Sequence, residues 1–166
     1  MGGHCEKYAI TDEKLATAEA NLLSFSGIPL DRFIIHNVVI DDSGNFVRTF
    51  ILENPDKPTL VLLHGYGGSA LIFYKIMKPL SENFNLIMID VLGFGGSSRP
   101  KFDITDPDEA DQYFVSFLEN WRLKMGGLTD FILAGHSFGG YISGLYASYY
   151  PQHLKKLLML SPVGVI

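Results

Sequence analysis

The sequence predicts an α/β fold, a mostly parallel sheet with helices on both faces. Three observations predict it. Short continuous apolar runs such as Thr59–Leu63 (TLVLL) and Asn85–Ile89 (NLIMI) have the length and composition of strands buried on both faces. Each is followed by a glycine-rich turn and then by helix-period sequence, the alternation that gives right-handed crossovers between parallel strands. The chain has 166 residues, 47% hydrophobic and 19% charged, which is about one domain with material for a core and too few charges for disorder.

The elements follow in order. Residues 12–26 (DEKLATAEANLLSFS) place Leu15, Ala18, Leu22 and Leu23 at helical spacing. Gly27-Ile28-Pro29 ends that helix, because proline cannot continue it and restricts the residue before it. Phe33–Ile40 and Asn45–Leu52, joined by Asp41-Asp42-Ser43-Gly44, form a predicted antiparallel hairpin. After the break at Asn54–Pro58 come strand 59–63, helix 71–80 and strand 85–89. Asp106, Pro107 and Glu109 spell a helix start, with Asp106 as N-cap, Pro107 at the first position and Glu109 completing a capping box. That helix runs to about Met125 and stops at Gly126-Gly127. Strand 130–134, helix 138–149 and strand 155–160 complete the pattern. There is no internal repeat, low-complexity segment or linker, so residues 1–32 read as an N-terminal extension and residues 33–166 as one α/β unit.

Charge and composition exclude several functions. Thirteen Lys+Arg against eighteen Asp+Glu give a net charge of −5 with no basic stripe, so nucleic acid is not expected as a partner. No apolar run approaches the ~18 residues of a spanning helix, and no charged-then-apolar leader opens the chain. The single cysteine, Cys5, has no internal disulfide partner and suits a reducing compartment. Gly2 and Cys5 raise lipidation, but Glu6 stands where a myristoylation motif has Ser or Thr, and the end reads as frayed and polar. The expected setting is the cytoplasm, or the periphery of lipid droplets or membranes. No cofactor and no metal are expected.

Gly135-His136-Ser137-Phe138-Gly139 matches G-x-S-x-G, after a predicted strand and before a predicted helix. A turn that sharp holds its central residue in strained φ/ψ and needs neighbours without side chains two residues away. It presents Ser137 at the carboxyl edge of the sheet with a helix N-terminus behind it. A serine nucleophile also needs two N–H groups aimed at the developing oxyanion. One is expected from Phe138. The other is expected from the loop His64-Gly65-Tyr66-Gly67-Gly68, with Tyr66 as donor and glycines allowing close approach.

With these motifs the chain resembles the α/β-hydrolase fold family over nearly its whole length after Phe33. Asp90-Val91-Leu92-Gly93-Phe94-Gly95-Gly96-Ser97-Ser98-Arg99-Pro100 is similar to that family's D-x-x-G-x-G-x-S loop. LGFGGSSRP, FVSFLENWR and GHSFGGY together resemble the abhydrolase-4/abhydrolase-5 branch and its plant relatives. The resemblance implies lipid acyl chemistry: lysophospholipid or N-acyl phospholipid hydrolysis, lysophosphatidic acid acyl transfer, or control of lipid droplets. In abhydrolase-5 itself asparagine replaces the elbow serine and the protein co-activates a lipase; Ser137 follows the hydrolytic members.

The family's triad runs serine, acid, histidine. After Ser137 the sole histidine is His153, expected at the far end of the helix from the elbow, and Ser161–Ile166 has no carboxylate. His136 and His64 lie inside the two loops, and His36 and His4 precede the sheet's catalytic edge. The chain therefore reads as the N-terminal part of a hydrolase domain, incomplete at the C-terminus. It is either a truncated gene model or fragment, or a relic with half a site; the well-kept elbow favours truncation. His36 and Asp41 fit an acyltransferase spacing, H-x-x-x-x-D, but lie five apart on a strand and face opposite sides. Asp90 is expected to bond its own glycine turn. Phe114, Phe117, Leu118 and Trp121 share helical spacing and are expected in the core.

Two functions remain open. One is an enzyme, a serine acyl hydrolase or transferase acting on a lipid ester through an acyl-Ser137 intermediate. The other is a non-catalytic protein that binds lipid or regulates a lipase. Without a base Ser137 stays a protonated, weakly nucleophilic alcohol, so the 166-residue chain alone is expected to be nearly inert as an esterase. Fluorophosphonate labelling beside a Ser137→Ala control checks this; rapid labelling confined to the Ser137 form would reveal a working base.

Overall fold

The computed structural model describes residues 12–164, so the expectations for Gly2, His4 and Cys5 lie outside the described residues. Its six strands are β1 (Ile34–Val39), β2 (Phe46–Leu52), β3 (Thr59–Leu63), β4 (Asn85–Ile89), β5 (Phe131–His136) and β6 (Leu154–Leu160). They pair in the order β1-β2-β4-β3-β5-β6. The β1–β2 hairpin is antiparallel, as predicted, and so is β2 against β4. The pairs β3–β4, β3–β5 and β5–β6 are parallel. Asp41 organises the hairpin turn: Oδ1 accepts from the Ser43 and Asn45 amides and Oδ2 from Asn45 Nδ2. That is a turn anchor's task, while His36 stands exposed on the edge strand.

Strand alternation splits the core into two layers. Val61 and Leu63 of β3, Ile87 and Ile89 of β4, and Phe131 and Leu133 of β5 join one cluster. Leu60, Leu62, Leu86, Met88, Ile132 and Ala134 join the other. The first is covered by α3 (Pro107–Lys124) and α4 (Phe138–Tyr149), through Phe117, Leu118, Trp121, Ile142 and Tyr146. The second is covered by α1 (Asp12–Leu23) and α2 (Tyr74–Ser81), through Leu23 and Met77. Helices thus lie on both faces, because both sides of each central strand are apolar.

Local chemistry sets the helix ends. Asp106 has extended backbone and its Oδ1 accepts from the Glu109 amide at 3.0 Å, with Pro107 in the first turn. α1 is shorter than the predicted 12–26: Ser24–Ser26 tighten to a 3₁₀ turn before Gly27 at φ 73°. The predicted helix 71–80 opens as a 3₁₀ turn, Ala70–Phe73, capped by Ser69 Oγ, and becomes α-helical only at Tyr74. α1 is fastened to the sheet by Glu19, whose carboxylate takes both Nε and Nη2 of Arg48 on β2. At the other edge, β6 leaves Leu158, Met159 and Leu160 exposed.

The α3 face also holds a buried polar relay. Trp121 Nε1–H donates to Thr49 Oγ1 at 3.1 Å, and that hydroxyl donates to the Val47 carbonyl at 3.1 Å. Both residues are fully buried. Thr49→Val keeps the shape and strands the indole N–H, so it should destabilise the fold by about 1–3 kcal/mol. Urea unfolding followed by Trp121 fluorescence measures this; a midpoint equal to wild type would show that the relay contributes nothing.

Candidate active site

β5 runs through His136 and α4 begins at Phe138, one residue apart, so the strand extends two residues beyond the predicted 130–134. Ser137 occupies the junction with φ 54° and ψ −116°, a conformation L side chains rarely adopt. The crossing is possible only with glycine on either side. A Cβ on Gly135 would come within 3.0 Å of the Gly139 carbonyl and Ser143 Oγ, and one on Gly139 within 3.0 Å of the Leu63 and His64 carbonyls. The Ser137 amide donates to the Leu160 carbonyl at 3.0 Å, and its carbonyl accepts from the Val163 amide at 3.2 Å. The Ser137 side chain is half-buried, and its Oγ has no hydrogen-bond partner among the described residues.

The loop after β3 lies directly against this turn. A Cβ on Gly65 would stand 3.0 Å from Ser137 Cβ and 3.3 Å from the His136 carbonyl. Gly65, Tyr66, Gly67, Gly68, His136 and Ser137, with Ile72, wall a hollow of about 230 Å³. Tyr66 is 80% exposed. The structure therefore brings Ser137, His136, Gly65, Tyr66 and Gly67 to one surface, packs Gly135 and Gly139 beneath it, and starts α4 with Phe138 at its side.

His64 does not open onto that hollow. It is fully buried, with Nδ1 2.7 Å from the Gly65 carbonyl and Nε2 2.9 Å from the Val91 amide. Only the tautomer protonated at Nδ1 satisfies both, donating to the carbonyl and accepting from the amide. Burial pushes its pKa below the usual imidazole value, so the ring is neutral and both nitrogens are committed. Asp90 lies 3.9 Å away and braces two loops. Its Oδ1 accepts from the Ala70 amide and its Oδ2 from the Gly96 amide, each at 2.6 Å. Desolvation drives its pKa up to about 6, with the two amides pulling the other way. It thus holds its own glycine turn, as expected, and the loop before α2 as well.

His153 lies in the 3₁₀ turn after α4, its ring stacked on Tyr150 and its Nε2 3.9 Å from Glu119. Glu119 also takes Arg122 and the Tyr146 hydroxyl, at 2.7 Å each. Arg122 and His153 thus belong to a structural network, and among the described residues no cluster of three His, Cys, Asp or Glu gathers for a metal ion.

A second hollow of about 530 Å³, not legible in the sequence, is walled by Tyr66, Phe94, Phe102, Tyr113, Phe114 and Phe138 among others. Phe117, Leu118 and Trp121 are buried as expected. Phe114 packs against the same core but only half-buried, and it also turns its ring edge onto Phe138 at 5.0 Å and lines this hollow. Helical spacing alone did not separate Phe114 from its buried neighbours Phe117 and Leu118.

Residues 58–165 match the family model of the alpha/beta hydrolase fold. The chain belongs to the alpha/beta hydrolase fold family. Over 124 residues it is 44% identical to a "1-acylglycerol-3-phosphate O-acyltransferase" of Arabidopsis thaliana, covering 74% of this chain and 29% of that protein. Over 112 residues it is 41% identical to a "(Lyso)-N-acylphosphatidylethanolamine lipase" of Homo sapiens, covering 68% of this chain and 32% of the relative. It spans about a third of the length of the curated relatives it matches. Among solved structures, a bacterial membrane phospholipase A superposes with a TM-score of 0.75 at 26% identity, over 92% of this chain and 45% of that one. The naproxen esterase of Bacillus subtilis shares the hydrolase fold at a TM-score of 0.77 and 19% identity, over 93% of this chain and 51% of that one. Among the described residues, no helix of this hydrolase-family chain is long and apolar enough to cross a membrane.

The Asp90 environment gives a pH dependence with a definite sign. Its folded pKa is raised above the usual aspartate value of 3.8 to about 6, so folding favours the protonated form. The resulting stabilisation, roughly 3 kcal/mol, is complete below about pH 4 and lost as pH rises through about 6. Carbon-13 NMR titration of the Asp90 carboxyl should give a midpoint near 6; a midpoint below 4 would refute this assignment.

Proposed function

We propose that these residues form the nucleophile half of a serine-dependent lipid acyl hydrolase or acyltransferase. Ser137 would be the nucleophile, the Phe138 and Tyr66 amides the oxyanion donors, and residues outside this chain the acid and base. The observation that carries it is Ser137 itself: a residue in a strained backbone, between two glycines that tolerate no Cβ, with an unpartnered Oγ against a glycine-rich loop. Strain of this kind persists only where the surroundings over-determine it, and it clusters at reactive sites.

The chemistry follows from that arrangement. A base removes the Oγ proton as Oγ bonds to the ester carbonyl carbon, and the carbonyl π electrons move onto oxygen. The two amides and the α4 N-terminus stabilise that oxyanion. Collapse breaks the ester C–O bond, the departing alkoxide takes the proton from the base, and an acyl-serine remains. Water then gives hydrolysis, and an acceptor hydroxyl gives acyl transfer. The lipid character of the acyl group is supported by the lipid activities for which the relatives are named and by the aromatic hollow beside Ser137. Such a protein would work at the periphery of a lipid droplet or membrane, with acyl-ester lipids as its partners.

The second reading, a lipid-binding or lipase-regulating protein without catalysis, is favoured by one observation. His64 is committed on both ring nitrogens and His153 is held by Glu119 and Tyr150, so neither is free to act as base. In the complete protein, Ser137→Ala should lower kcat/KM for a lysophospholipid by on the order of 10³-fold or more. Wild-type turnover in that variant would assign the nucleophile elsewhere, and an inactive wild type would favour the binding protein.

A further inference from the structure

The aromatic hollow carries one cation. Arg99 lines it, exposed, on the loop that follows β4. Its Nη2 donates to the Gly95 carbonyl at 2.7 Å and its Nη1 to the Ser97 carbonyl at 3.3 Å, so the guanidinium is fixed on its own loop. No carboxylate reaches it among the described residues. Arg48 and Arg122, by contrast, are paired with Glu19 and Glu119, and Lys101 with Asp103. In a chain of net charge −5, this positioned guanidinium lines an apolar hollow with no carboxylate against it among the described residues, so its charge is available to an anionic ligand group.

We propose that Arg99 and the aromatic hollow bind a phosphate-bearing acyl lipid, with the phosphate on the Arg99 guanidinium and the apolar part against Phe94, Phe102 and Phe114. The guanidinium fork matches phosphate oxygens and stays charged at any working pH. An acyl ester has no carboxylate of its own, so the anionic group such a lipid brings is its phosphate. Tyr66 walls both this hollow and the smaller one at Ser137, which places the bound lipid beside the candidate nucleophile. Arg99 is then a specificity residue: it discriminates phosphate-bearing lipids from neutral ones and takes no part in bond-making. The proposal rests on the Ser137 reading for its turnover readout, though not for binding.

The test uses the complete protein with Arg99→Gln and Arg99→Lys. Substrates are 1-oleoylglycerol 3-phosphate, a monoester; 1-oleoyl lysophosphatidylethanolamine, a diester; and 1-oleoylglycerol, which has no phosphate. Arg99→Gln should lower kcat/KM for the phosphate lipids by roughly 10- to 100-fold relative to oleoylglycerol, with Arg99→Lys recovering part of it. A loss confined to the monoester identifies a terminal phosphate as the ligand; a loss on both identifies the shared phosphoryl group. Equal losses on all three, or an unchanged ratio, would overturn the proposal. In a Ser137→Ala background, Arg99→Gln should weaken binding of 1-oleoylglycerol 3-phosphate by a similar factor. If that shift appears while Ser137→Ala remains active, the nucleophile assignment fails and the lipid site stands. If Ser137→Ala is inactive and Arg99→Gln binds as tightly as its parent, the lipid site fails alone.

Discussion

The junction between β5 and α4 leaves no residue for a loop, so the chain must reverse from extended to helical geometry at Ser137 alone. Gly139 then falls against the carbonyls of Leu63 and His64 at the end of β3, and Gly135 against Gly139 and Ser143. The pairing of Leu63 with Gly135 in the β3–β5 ladder brings the two strand ends level. One missing Cβ at each of two positions thus sets how closely α4 lies on the sheet. That distance in turn decides whether the Gly65 loop can reach Ser137.

The polar core on this edge is arranged to hold loops still. His64 is clamped as a neutral ring between the Gly65 carbonyl and the Val91 amide, joining the ends of β3 and β4. Asp90 ties the loop before α2 to the glycine turn that carries Phe94 and Arg99. Ser97 adds a third tie, its hydroxyl donating to the Asp90 carbonyl and accepting from the Arg48 amide of β2. Burial for bracing pushes His64 below and Asp90 above their usual ranges. A perturbed pKa here marks scaffold, and the proposed nucleophile, Ser137 Oγ, is the group left without a partner among the described residues.

What could be read from the chain followed how local its cause was. β3, β4 and the Asp106 cap depend on neighbours in sequence, and they form where composition and spacing predict. Ser137 was legible for the same reason, since strand, turn, glycine spacing and helix fall within a dozen residues. The 3₁₀ opening before α2 was not, because it depends on Asp90, twenty residues on, taking the Ala70 amide. The aromatic hollow was not, because Tyr66, Phe94, Phe114 and Phe138 come from four separate segments whose meeting is a property of the sheet order. The Glu19–Arg48 pair, which binds the N-terminal helix to β2, was invisible for the same reason.

Ser137 is held from behind by a segment that is not its own turn: its amide donates to Leu160 and its carbonyl accepts from Val163. These two bonds make the backbone after β6 a mechanical coupling to the candidate nucleophile. Residues 160–163 cannot shift along the strand axis without stretching one bond or rotating the serine peptide. A rotation of a few degrees there would swing Oγ relative to the Tyr66 and Phe138 amides. Whatever packs against the end of β6 therefore has a direct mechanical lever on the orientation of Ser137, acting through two hydrogen bonds.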